Sequence, residues 1–101
     1  MYNAYISGIG YYVPDNIVTN RELSKQINTS DEWIIERTGI KERRHVNQPG
    51  VGPSDIAIPA VENALDNANL SIQDIDFIVF ATSTPDYYAP GSGCLLQEKM
   101  N

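Results

Sequence analysis

A chain of 101 residues, 42% apolar and 20% charged, is sized for one domain and leaves no room for a second. Thirteen acidic against seven basic residues give a net charge of -6, which excludes general binding of nucleic acid or an anionic membrane and confines any anion site to a local basic cluster. One cysteine, Cys94, and one histidine, His45, exclude an internal disulfide framework and a Cys- or His-rich metal centre.

The run AYISGI, Ala4 to Ile9, has the β-branched and aromatic content of a strand, and Gly10, Pro14, Asp15 and Asn16 punctuate a loop after it. Thr19 or Asn20 can cap a short helix through NRELSKQI. Ser30 can cap a second through DEWIIER, with Asp31 and Glu32 in its first turn and Gly39 as the stop. IKERRHV reads as an exposed strand or arm; with Arg37 it gathers four of the seven basic residues, Arg37, Lys41, Arg43 and Arg44. Ser54 opens a long helix in which Ala57, Val61, Ala64, Leu65 and Ala68 form an apolar stripe, while Glu62, Asn63, Asp66 and Asn67 face away; Pro59 lies near its start.

The run FIVFAT, Phe77 to Thr82, is apolar without alternation, the pattern of a strand covered on both faces. Strand, helix, strand predicts a βαβ unit and an α/β fold. A last helix, capped by Ser92, has made about two turns when the chain stops, with Leu95, Leu96 and Met100 still to be covered. The expectation is therefore one incomplete domain, residues 1–101 being the N-terminal portion of a larger α/β protein. No basic segment leads into an apolar core at the N-terminus, and no run nears the ~20 apolar residues of a membrane helix, so the reading is cytoplasmic.

Trp33 stands early in a polar helix with Arg37 one turn later on the same face. An indole offers a purine a stacking surface, and a guanidinium four residues on reaches a phosphate or stacks in turn. The competing reading packs Trp33 with Ile34 and Ile35 as the apolar side of the helix.

SGIGYYVPDNIVTN, TSDEWIIERTGIKERR and FIVFATSTPDYYAPGSGCLLQ together resemble the start of the β-ketoacyl-[acyl-carrier-protein] synthase III family, and the block Thr29 to Arg44 is the specific part. The resemblance implies a thiolase-like fold, of which this chain covers part of the N-terminal half, a mixed sheet with flanking helices. It implies an enzyme that moves an acyl primer from coenzyme A to a cysteine and condenses it with malonyl-acyl carrier protein to initiate fatty acid synthesis, with no separate cofactor and as a homodimer when complete. It places Trp33, Arg37 and Thr29 at the nucleotide end of the coenzyme A site. It also places Ala89, before Pro90, at the residue that closes the partner's primer pocket; a small side chain there implies a pocket wider than acetyl, unless Tyr87 or Tyr88 fills the space.

The family's catalytic Cys, His and Asn fall beyond Asn101. Cys94 is then a small apolar residue packed on a helix and His45 an exposed structural one, so the 101 residues alone are expected to be inactive and to bind coenzyme A weakly or not at all. Lys41 and Arg43 read as a solvated arm, the alternative being contact with the carrier protein or coenzyme A phosphates. Two other functions stay open: a related condensing enzyme of secondary metabolism or hydroxymethylglutaryl-coenzyme A synthase type, and a non-catalytic interaction module.

Overall fold

The computed structural model describes residues 2–101, which divide into two compact units, Val13–Pro49 and the paired segments 2–12 and 50–101. Within Val13–Pro49, strand β1 (Ile17–Thr19) leads directly into helix α1 (Asn20–Leu23), followed by α2 (Asp31–Thr38) and β2 (Glu42–Arg44). β1 and β2 pair antiparallel with Val18 opposite Arg43. Backbone bonds prolong the ladder, from His45 N–H to Asn16 O (3.0 Å) and from Asn20 N–H to Lys41 O (3.2 Å). β1 falls between the loop and the candidate helix, where the sequence assigned no element; it forms because the basic arm, now β2, supplies its partner.

α1 starts in a reciprocal cap. The Glu22 amide donates to Thr19 Oγ1, and Glu22 Oε2 accepts from the Thr19 amide at 2.7 Å. That backbone bond, then the Thr19 hydroxyl, holds the Glu22 carboxyl below the usual carboxylate range. The helix ends at Leu23, shorter than the NRELSKQI expectation. α2 matches its sequence signals: Ser30 Oγ accepts from the Trp33 amide at 3.1 Å, and Gly39 closes the helix in the left-handed region, φ 71°, where only glycine is unstrained.

In the other unit, helix α3 spans Pro53–Ala68 and helix α4 spans Ser92–Met100, with a 3-10 turn at Ile72–Asp74 between them. Proline at the first position of α3 forfeits an amide that lacks a helical partner anyway. Gly91, not Ser92, occupies the cap position of α4. The segment around Gly8 and Gly10 lies so close to α3 that a Cβ on Gly8 would stand 2.8 Å from the Ala68 methyl, and one on Gly10 would collide with the Ala60 carbonyl. Asn67 Nδ2 donates to Ile9 O (2.8 Å) and Asn63 Nδ2 to Tyr11 O (3.1 Å). These two asparagines therefore do not simply face away, as the helical pattern suggested; they tie the N-terminal segment to the helix.

Neither expected strand of this unit, Ala4–Ile9 or Phe77–Thr82, pairs in a ladder among the described residues, so the βαβ pairing is not formed. Ile6, Phe77 and Val79 are each at least 80% exposed. A strand is completed by its neighbour's amides and carbonyls, and β-propensity alone leaves those groups in solvent. Beside these segments and α3 and α4 lies a groove of about 1010 Å³ lined by Gly8, Leu65, Ile78, Cys94, Leu96 and Met100 among others. Among the described residues Leu96 is the buried apolar residue of this unit, as Ile34 is of the other.

Candidate functional site

The geometry of Val13–Pro49 separates Trp33 from the core. Ile34 is 7% exposed, whereas Trp33, one residue earlier and about 100° around the helix, is 54% exposed. The indole is thus not the apolar anchor of α2. Arg37, one turn on, lies over it with its guanidinium carbon 5.7 Å from the ring centroid, within the range of a cation–π contact. One turn before Trp33, at the entry to the helix, the Thr29 hydroxyl oxygen is buried and has no hydrogen-bond partner among the described residues. Buried hydroxyls are normally satisfied, so this one stands out among the polar atoms at the entry to α2. The three residues that the sequence singles out, Thr29, Trp33 and Arg37, therefore share one helix and its entry.

A polar hub that the sequence did not announce holds this helix in place. Asn20 is 1% exposed. Its Nδ2 donates to Asp31 Oδ1 at 2.7 Å and to the Ile40 carbonyl at 2.8 Å, and its Oδ1 accepts from Arg43 at 2.7 Å. Arg43 also donates to the Val18 carbonyl at 3.3 Å. The start of α2, its exit at Ile40 and both strands thus converge on one amide. Arg43 is correspondingly half-buried and engaged, which corrects its reading as part of a solvated arm; Lys41 is exposed, and Arg44 reaches the Pro14 carbonyl. Asn20 was legible only as a possible cap beside Thr19, and Asp31 only as a first-turn acid.

Cys94 lies on α4, exposed, at the groove wall, and so is not packed under other side chains as expected. His45 is exposed beyond β2. No cluster of metal-ligating side chains occurs among the described residues, and no helix of theirs is long and apolar enough to cross a membrane. Ala89 is exposed in the loop before α4, as are Tyr87 and Tyr88, 64% and 98%, so none of the three packs into this unit.

That loop is fastened by a second polar network. Asp86 Oδ2 accepts from the Ser54 amide (3.0 Å) and Oδ1 from the Ser54 hydroxyl (2.7 Å), while the Asp86 amide donates to Ser92 Oγ (3.0 Å). Lys99 Nζ donates to Ser54 Oγ (2.7 Å) and pairs with Asp55 Oδ1 at 2.6 Å. Burial pushes the Asp86 carboxyl up, but bonds from Ser92 and Ser54 outweigh it and hold the group below its ordinary value. The bond from Lys99, then the Gly52 amide, lowers Asp55; the same bond to Asp55 raises Lys99.

No protein-family model matches the chain. It is similar to curated full-length proteins, among them a β-ketoacyl-[acyl-carrier-protein] synthase III of Fusobacterium nucleatum, 48% identical over 95 residues, 94% of this chain and 29% of that protein. Among solved structures it resembles 3-oxoacyl-[acyl-carrier-protein] synthase III from Aquifex aeolicus, with TM-score 0.84 and 44% identity over 94% of this chain and 30% of that one. The priming β-ketosynthase of the R1128 polyketide pathway also gives TM-score 0.84, at 29% identity over 94% of this chain and 28% of that one. The chain spans about 29% of the length of the curated relatives it matches.

Proposed function

Because this chain belongs to the β-ketoacyl-[acyl-carrier-protein] synthase III family and carries part of its thiolase-like α/β fold, we propose that the protein it forms part of is a cytoplasmic, homodimeric acyltransferase. It condenses an acyl-coenzyme A primer with malonyl-acyl carrier protein. The primer passes to a cysteine thiolate with release of coenzyme A; loss of carbon dioxide from the malonyl group then leaves the carbanion that attacks the bound acyl carbonyl, forming the new C–C bond as the thioester breaks and the cysteine thiolate leaves. In this reading the Cys, His and Asn that carry out those steps belong to the protein outside these 101 residues, and the present stretch recognises substrate.

The observation that carries the reading is the exposed Trp33 face under Arg37. A purine stacks on the indole, taking over the contact Arg37 now makes, and the released guanidinium meets phosphate; Thr29, one turn before Trp33, is the adenine contact that the family resemblance implies. Titrating coenzyme A into the complete protein while following Trp33 fluorescence tests this. Trp33→Ala is expected to weaken binding by roughly tenfold or more, the worth of one base stacked on an aromatic ring. Unchanged affinity would remove Trp33 from the site. Ala89, on its exposed loop, sets a primer pocket wider than acetyl, and turnover of longer or branched acyl-coenzyme A against acetyl-coenzyme A measures that width.

A second reading, priming of polyketide synthesis, draws on the R1128 relative. Its 29% identity, against 48% for the Fusobacterium protein, favours fatty acid initiation. Transfer of primer to a fatty acid carrier protein in preference to a polyketide one separates them.

A further inference from the structure

Helix α3 begins without a cap of its own. Gly52, at the cap position, has no side chain to offer, and the amide of Ser54, one of those that an N-cap side chain would otherwise satisfy, is taken by Asp86, 32 residues further on. The approach depends on Gly52 being glycine, because a Cβ there would collide with the Asp86 carboxylate. Ser54 is completely buried and Ser92 is 3% exposed, so the serine ends of these bonds are shielded from water. The bonds also run in one direction: Lys99 donates to the Ser54 hydroxyl, and that hydroxyl donates to Asp86. A cation thus reaches a carboxylate through a buried serine.

Asp86 sits in the middle of the Ser83–Gly91 loop and is held at both of its polar ends, by α3 through its carboxylate and by α4 through its amide. The stretch Tyr87–Gly91 is therefore an arch pinned at Asp86 and at Ser92, with Ala89 in its middle and its side chains in solvent. Pinning both ends of so short an arch removes most of its conformational freedom.

We propose that Asp86 is a positioning residue for primer selection: by capping α3 from across the sequence it fixes the arch that presents Ala89, so the width of the primer pocket is set by the held loop and not by the size of residue 89 alone. This rests on the reading of Ala89 given above. Asp86 touches no substrate and acts through the loop.

The test uses the complete enzyme with Asp86→Ala, Gly52→Ala, which displaces the carboxylate while leaving it in the chain, and Ala89→Phe as the control for the pocket itself. Asp86→Ala and Gly52→Ala are expected to move the ratio of kcat/KM for branched or longer primers over acetyl by about threefold or more, and to speed amide exchange across residues 87–91 by about tenfold, while the Kd of free coenzyme A, read by Trp33 fluorescence, stays within about twofold. A primer ratio unchanged in both variants overturns the proposal. If Ala89→Phe shifts the ratio and neither clamp variant does, the pocket reading stands and the clamp is wrong. If the clamp variants shift it and Ala89→Phe does not, residue 89 is not the gate, and the proposal, which acts through Ala89, is overturned together with the pocket reading. Should Asp86→Ala fail to fold, Asp86→Asn takes its place beside Gly52→Ala: a shifted primer ratio supports the clamp, and an unchanged one overturns it.

Discussion

The two units of this chain reach order by different routes. In Val13–Pro49 the strands find each other across 22 intervening residues, Asn20 joins four segments around a single buried amide, and the helices carry their own caps. The unit made of residues 2–12 and 50–101 has no strand pairing among the described residues, leaves Phe77 and Val79 in solvent, and is held by an alanine face packed against glycines and by a charged clamp between two helix starts. The difference teaches that a small unit can be locally complete without a large core, whereas an α/β layer is not complete until its strands are paired.

The largest effect expected from breaking this contrast is at Asn20. Asn20→Ala leaves Asp31, Arg43 and the Ile40 carbonyl without their shared partner in a buried site, at a cost of about 2–4 kcal/mol, seen as an earlier denaturant transition in Trp33 fluorescence. A loss below about 1 kcal/mol would mean the hub is dispensable. In the other unit Leu96→Ala removes the one buried apolar side chain among its described residues; a loss of about 2–3 kcal/mol is expected by circular dichroism, with Trp33 emission at low denaturant unchanged. Gly10→Ala sharpens the comparison further. Its Cβ collides with backbone of α3, so a loss of about 1–3 kcal/mol is expected, together with faster amide exchange around Ile9 and Tyr11; an unshifted melting temperature would show that the close approach is slack.

The smallest effect is in pH. Glu22, Asp55 and Asp86 titrate below their ordinary values in the folded chain. Their contribution is fully present above about pH 4, the unfolded value, and fades as pH falls through the lower folded values. Lys99 is raised, so its contribution is complete below about pH 10.4 and is lost as pH rises through the folded value above that. Val13–Pro49 holds only the acid-sensitive kind among these groups, whereas the other unit holds both. A small alkaline drop in melting temperature that disappears in Lys99→Met is the expected signature; an equal drop in the variant would assign it elsewhere.

What a single segment could specify, the sequence showed. Ser30 and Gly39 bound α2, Thr19 is one of two candidate caps of α1, and the block Thr29 to Arg44 carries both the family resemblance and the candidate site, because capping and i, i+4 neighbours are settled within a turn of chain. Only the tertiary structure decided that Trp33 faces solvent while Ile34 is buried, that Arg43 is engaged at Asn20, and that Asp86 caps a helix 32 residues before it. Each of those turns on which distant groups meet and on what water can no longer reach. The strand at Phe77 to Thr82 marks the same boundary from the other side: its apolar run is written in the sequence, but its pairing requires a neighbour, and hydrogen bonds between strands cannot be supplied by one of them alone.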